Sequence, residues 1–203
     1  MNRKYSKLSD EQYEYIKGEV IALMERLKIK CIPISGFEIA TKMGITLIPY
    51  SSLSDDELSA ALQVSEDGFY CEDAMHEYIY YNAMGRNYER QNMTILHEIG
   101  HCVLDHTGHG KDEETEAKFF AKYAIAPPPL IYRLGVENIQ DVMNMFDISC
   151  EAAWYVYKYY KTWLKFHQAY GRFTEYEIRL LRLYKKSILR RWELMIGDQR
   201  KNA

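Results

Sequence analysis

His97, Glu98 and His101 form an H-E-x-x-H pattern inside ILHEIGHCVLDH, residues 95–106. On an α-helix the two histidines lie ~40° apart around the axis and one turn along it. Both imidazoles then project from one face and can grip a single metal ion. Zinc suits this donor set, because it takes neutral imidazole nitrogen and keeps an open position in catalytic sites. Glu98 stands beside that face. It can reach a water on the metal without ligating the metal, take its proton, and later hand that proton to a leaving amine. The pattern sits in the middle of an apolar helix, where two histidines and a glutamate are costly unless paired or metal-bound. Metal-assisted peptide hydrolysis is the chemistry this set predicts, with Glu98 as catalytic base and His97 and His101 as ligands.

A catalytic site of this kind needs a third protein ligand. The longer H-x-x-G-x-x-H spacing of metzincins fails: Leu104 stands where its glycine would be and Thr107 where its third histidine would be. The acidic start of the next helix, DEETEAKFFA (112–121), offers Glu113, Glu114 and Glu116. A helix packed beside the first can carry a carboxylate to the metal face, whereas acids in a first turn also simply complement the helix dipole. Spacing alone leaves the three open. His106 and His109, near a helix end and a Gly-rich turn, read as surface residues. His76 could help hold a tetrahedral intermediate, but a histidine at a strand start reads more simply as exposed or structural.

The elements that must position these residues follow from periodicity. Ser9 and Gln12 form a capping box, and Tyr13, Ile16, Val20, Met24 and Leu27 continue a first helix at three- and four-residue steps. Ser35 and Glu38 open a short second helix that Gly44 stops. ITLIPY is a short strand. AALQV (60–64) and the segment around Phe69-Tyr70 read as a hairpin about Glu66-Asp67-Gly68, and EYIYYN (77–82) alternates like a strand. Helices are expected over about 88–106, over 112–125 up to Pro127-Pro128-Pro129, and over 137–146, 149–168 and 174–195. Helices, a small sheet, then helices make an α+β arrangement. An extended substrate could add to the edge of this sheet at EYIYYN, unless 77–82 is an interior strand.

Composition excludes several classes. The 203 residues carry 26 basic and 29 acidic side chains, with 47% hydrophobic and 27% charged residues, an ordinary globular balance. No apolar run reaches the ~20 residues of a spanning helix, and the charged N-terminus lacks the apolar stretch of a secretory signal. A cytoplasmic location without membrane association is therefore expected. Cys31, Cys71, Cys102 and Cys150 are far apart and read as free thiols in or near the core. Residues 165–203 hold ten Lys/Arg against four Asp/Glu, a basic tail that could meet an acidic partner but reads as a solvated helix face.

YIYYNAMGRNYERQNMTILHEIGHCVLDH, followed by EETEAKFFAKYAIAPPPLI, resembles the ImmA/IrrE family of metallo-endopeptidases. The likeness covers a strand ending in Tyr-Asn, an arginine-bearing segment, Thr-x-x-His-Glu-x-Gly-His, and a helix of the form Glu-x-x-Ala-Asn/Asp-x-Phe-Ala running into proline. It spans about residues 30–165. It implies a zincin-like, gluzincin-type fold with a small sheet beside the active-site helix, and Zn2+ held by His97, His101 and Glu114. Glu114 is implied because it stands three residues before Ala117, with Glu113 and Glu116 as fallbacks. The implied organisation is an N-terminal helix (1–30), a zinc metallopeptidase domain (31–165) and a basic helical extension (166–203). The implied substrate is a helix-turn-helix repressor of a bacterial mobile element or stress regulon.

Two departures stand out. Lys118 occupies the place where the family has Asn or Asp to accept a hydrogen bond from a ligand histidine, and a lysine cannot accept one. Orientation must then come from a backbone carbonyl or another carboxylate. AIAPPP replaces Leu-Leu-Met-Pro, which reads as a packing change. A competing expectation is a metal-containing binding or sensor module without turnover. GFEIATKMGI (36–45) and residues 139–161 have a helix-turn-helix flavour, but the second helix of the latter carries Trp154, Tyr155, Tyr157, Tyr159 and Tyr160 and few bases. Groove-reading helices need Arg, Lys, Asn or Gln outward, so those aromatics are expected to pack inward and direct nucleic-acid binding is not expected.

Overall fold

The computed structural model describes residues 8–108 and 110–201, with side chains as far as residue 193; His109 lies outside the described residues. The protein is α+β, mostly helical with one three-stranded sheet. Among the described residues no helix is long and apolar enough to cross a membrane. The chain divides into two compact units, one comprising residues up to Val20 with Ser35–Ile125, the other Ile21–Ile34 with Ala126 onward.

In the first unit, helix α1 (Asp10–Arg26) begins behind the expected box: Ser9 N–H donates to Gln12 Oε1 (2.9 Å) and Gln12 N–H to Ser9 Oγ (3.2 Å). α2 (Gly36–Met43) starts at Ser35, whose hydroxyl accepts from Glu38 N–H, and stops at Gly44 with φ 88°. Strand β1 (Thr46–Pro49), helix α3 (Asp55–Val64), strands β2 (Gly68–Glu72) and β3 (Glu77–Tyr81), and helices α4 (Tyr88–Val103) and α5 (Lys111–Ile125) follow. The sheet order is β1-β3-β2, with β1 parallel and β2 antiparallel to β3. β3 is therefore the interior strand, so EYIYYN offers no edge; β2 and β1 are the edges.

Residues 60–64 are helical rather than a strand. Ser54 and Glu57 form a complete capping box ahead of them, with Asp55, Asp56 and Glu57 in the first turn. That N-terminal chemistry, together with Ala60, Ala61 and Leu62 as good helix formers, outweighs a five-residue alternation.

Helix α4 carries the H-E-x-x-H residues, and neighbouring backbone approaches it closely on two sides. A Cβ on Gly68 of β2 would lie 2.7 Å from Thr94 Cγ2, and one on Gly100 would lie 3.2 Å from Ala117 Cα and from Phe120 Cβ of α5. Gly36 N–H donates to the buried Asn92 side chain (2.6 Å), tying α2 to α4. Ile95, Leu96 and Ile99 of α4 are fully buried, as are Ile79 of β3 and Phe120 of α5. Without a side chain at position 100, α4 and α5 pack close enough for residues of one to reach the helix face of the other.

The second unit is all helical: the end of α1, then α6 (Pro128–Arg133), α7 (Ile139–Phe146), α8 (Cys150–Tyr170), α9 (Glu175–Leu183) and α10 (Lys185–Lys201). Pro128 and Pro129 open a helix instead of only closing one, since a first-turn residue needs no amide hydrogen. The single helix expected over 174–195 is broken at Tyr184, which is fully buried and reaches Met24 Sδ with its hydroxyl (3.9 Å). Of the α8 aromatics, Tyr160 packs inward as expected, but Trp154 and Tyr155 are exposed. All four cysteines are free, and Cys31 and Cys150 are exposed rather than near the core.

Candidate metal centre

One turn of α4 brings His97 and His101 together, their ring centroids 4.8 Å apart and nearly perpendicular. The two Nε2 atoms are 3.2 Å apart. Glu114, on the first turn of α5, faces both: its Oε1 is 3.4 Å from His101 Nε2 and its Oε2 is 3.7 Å from His97 Nε2. Each residue offers one ligand atom, all within 4.8 Å of one another, so His97, His101 and Glu114 form a group that could hold a metal ion. The imidazoles of His101 and His97, and then the Lys118 ammonium, hold the Glu114 carboxyl well below the usual range despite its partial burial.

The three acids of α5 are sorted by position. Glu113 caps its own helix, Oε2 accepting from Gly110 N–H at 2.8 Å, and that backbone donor lowers its pKa. Glu114 turns to the histidines. Glu116 accepts from Gln12 Nε2 (2.8 Å) and lies 3.0 Å from His106 Nε2.

Glu98 is buried against the sheet, and its Oε2 accepts from Tyr70 N–H of β2 at 3.0 Å. Burial pushes its pKa up to about 7, with the nearby His101 and the Tyr70 amide pulling the other way. A bound dication would add to that downward pull. Beyond Glu98, the Tyr70 hydroxyl, with one proton to give, lies between Glu72 Oε2 (2.8 Å) and Glu77 Oε1 (3.0 Å), and the Cys102 thiol points to Glu77 (3.4 Å). Burial, reinforced by Glu77, pushes that thiol up to about 12, which favours the protonated, hydrogen-bond-donating form.

His76 lies in the turn before β3, exposed, with Asp73 accepting from its backbone N–H (2.8 Å). It is not part of the cluster. His106 is the larger surprise. Its side chain is only 5% exposed, and its Nδ1 is 3.0 Å from His101 Nδ1. The partner expected to orient a ligand histidine was a backbone carbonyl or a carboxylate; for His101 it is another imidazole. Lys118 instead sits 3.3 Å from Glu114 Oε2.

Two participants escape a reading of residue types. The Tyr70 amide is backbone and carries no sequence signal. His106 carries a faint one: Asp105, a residue that tolerates left-handed backbone, sits where a helix C-terminus would fold back on itself. Compared with protein-family models and with curated proteins, the chain matches none.

Proposed function

We propose that this chain is a zinc-dependent endopeptidase of gluzincin type that hydrolyses a peptide bond in a protein substrate. The observation that carries the reading is the convergence of three donors: the two Nε2 atoms lie 3.2 Å apart, and the Glu114 carboxylate sets Oε1 3.4 Å from His101 Nε2 and Oε2 3.7 Å from His97 Nε2. Ligands at 2.0–2.2 Å around tetrahedral zinc lie about 3.3 Å from one another. The three side chains already offer ligand atoms within 4.8 Å of one another, and two imidazoles with one carboxylate are a donor set zinc accepts. Zinc, when bound, supplies Lewis acidity toward a peptide carbonyl and toward water.

The chain's own residues supply the proton chemistry. The Tyr70 amide fixes Glu98 through Oε2, which leaves Oε1 to accept a proton from the attacking water. With a pKa raised by burial, the same carboxyl can release that proton to the departing amine nitrogen near neutral pH. β2 is an edge strand beside Glu98, where an extended peptide could lie, with the outward Gly68 and Tyr70 N–H groups already donating to Ser65 Oγ and Glu98 Oε2. The resemblance to ImmA/IrrE metallo-endopeptidases supports a helix-turn-helix repressor as the substrate class and the cytoplasm as the setting.

One observation favours a second reading, a metal-containing sensor or binding module without turnover: the Lys118 ammonium lies 3.3 Å from the carboxylate oxygen that a metal would need. Zinc counting on the purified full chain, with cleavage assays against candidate repressors, separates the two. The expected result is one zinc per chain, lost in His97→Ala and Glu114→Ala, and kept in Glu98→Gln while cleavage stops. Full zinc retention in Glu114→Ala would move the third ligand elsewhere. Zinc without cleavage of any candidate would favour the sensor, and a chain that never takes up zinc would end the proposal.

A further inference from the structure

Helix α4 ends in a way that folds the chain back onto its own metal-facing histidine. Leu104 closes the helix, Asp105 adopts left-handed backbone at φ 55°, and two reversed hydrogen bonds follow: Asp105 N–H to Cys102 O (3.2 Å) and His106 N–H to His101 O (3.0 Å). This is the Schellman arrangement, in which the residue two beyond the cap lies over the residue three before it. An apolar pair normally fills that place. Here it is filled by His106 and His101, whose Nδ1 atoms are 3.0 Å apart. His106 Nε2 continues to Glu116 Oε2 (3.0 Å), and Glu116 Oε1 accepts from Gln12 Nε2 (2.8 Å) on α1.

The hydrogen-bond directions along this line admit one consistent order. A histidine that ligates a metal through Nε2 keeps its hydrogen on Nδ1. His101 Nδ1 must then donate, so His106 Nδ1 must accept. A neutral imidazole with an accepting Nδ1 carries its hydrogen on Nε2, and that nitrogen faces a carboxylate, which only accepts. Gln12 gives the second oxygen of Glu116 its donor, and the Gln12 carbonyl is held in turn by Ser9 N–H. Every group has the donor or acceptor its neighbour requires.

We infer that His106 is a positioning residue for the metal site: backed by Glu116 and Gln12, it holds His101 in the tautomer and ring orientation that present Nε2 to the ion. The inference rests on the metal reading of His97, His101 and Glu114. It assigns to a histidine beyond the H-E-x-x-H pattern the task that Lys118, a donor only, cannot perform.

Long-range proton–nitrogen spectra of the zinc-loaded full chain test this without any substitution. The expected pattern is His101 protonated on Nδ1 and His106 protonated on Nε2; a His106 protonated on Nδ1 overturns the inference. Zinc affinity, measured against a competing chelator, gives the second test. His106→Phe should weaken binding by ~10–100-fold, the range seen when a partner of a metal-bound histidine is removed. His106→Asn, which can place an amide oxygen near the position of Nδ1, should recover most of that loss. Glu116→Gln should weaken binding less than His106→Phe, and Gln12→Ala less again. Zinc binding in His106→Phe equal to that of the wild type sinks this inference alone. A wild-type chain that binds no zinc sinks the metal reading and this inference together.

Discussion

Among the described residues each of the two units buries one glutamate, and the two are handled in opposite ways. Glu177 of α9 is 4% exposed and Glu98 of α4 is 6% exposed. Glu177 has a partner for each oxygen: Thr174 N–H donates to Oε2 (2.8 Å) as half of a capping box, and the Trp163 indole donates to Oε1 (2.6 Å). Its burial is explained by folding alone. Glu98 has the Tyr70 amide on one oxygen and no hydrogen-bond partner on the other among the described residues. That second oxygen is not among the sealed, unpartnered atoms of the described residues, so the fold grips the carboxylate through one oxygen and leaves the other open for chemistry. Burial of an acid is thus weak evidence of function, and a carboxylate held through one oxygen with the other open beside two histidines is much stronger evidence.

Charge removal at the two positions breaks this comparison most sharply. Glu98→Gln should lower peptide cleavage by ~10²–10⁴-fold, the usual contribution of a positioned proton-transfer group, while zinc content stays unchanged. Its thermal midpoint should stay level or rise, because a poorly compensated buried charge has gone. Glu177→Gln should do the reverse. An amide group would face either the Thr174 N–H or the indole N–H, at a cost of about 1–3 kcal/mol for the donor left unsatisfied, with turnover per folded molecule intact. Cleavage rates and denaturant titrations on both variants decide it, and equal stability losses in the two would dissolve the contrast.

The site was more legible in the residues than its support. His97 and His101 follow from helical spacing, and Ser9 and Ser35 announce their helices because a cap is a local device. The choice of Glu114 over Glu113 and Glu116 could not be read from spacing. It depends on how α5 rotates against α4, which is a property of the packed pair. The Tyr70 amide was invisible for the same reason, and the interior position of β3 depends on which strands flank it. His106 was misassigned to the surface because the Gly-rich sequence after it signals a turn, whereas the structure places the reversal one residue earlier, at Asp105. The strand expected at 60–64 failed because Ser54 and Glu57, which decide the matter, lie outside the five residues that alternate.

Gly100 offers a smaller effect that is confined to the first unit. A methyl group there would press on Ala117 Cα and Phe120 Cβ at 3.2 Å, so α5 must retreat by a few tenths of an ångström. Gly100→Ala should cost about 1–3 kcal/mol through overpacking, part of it offset by the better helix propensity of alanine. Because Glu114 rides on α5, zinc affinity should fall as well. Among the described residues the candidate ligands all lie in the first unit, so overpacking at the buried Ala153 of α8 should lower stability and leave zinc affinity untouched. Chelator competition alongside denaturant titration measures both quantities. An unchanged zinc affinity in Gly100→Ala would mean that Glu114 is not held by the α4–α5 crossing.

The mildest contrast concerns two capping boxes of the same design, one in each unit. Ser54 with Glu57 opens α3, and Thr174 with Glu177 opens α9. The first is exposed to water, where both Glu57 oxygens can find other partners; the second contains a buried carboxylate with no such recourse. Removal of an N-cap hydroxyl costs about 0.5–2 kcal/mol. Ser54→Ala should fall at the low end of that range and Thr174→Ala at the high end, since loss of the Thr174 hydroxyl frees the first turn of α9 and loosens the Glu177 bond to Trp163. Amide hydrogen exchange reports each helix separately: α3 protection should fall only slightly in Ser54→Ala, whereas α9 protection and the Trp163 indole signal should change together in Thr174→Ala. If the indole signal stays fixed while α9 frays, Glu177 is anchored by Trp163 and not by its cap, and its burial belongs to the packing of α8 instead of the start of α9.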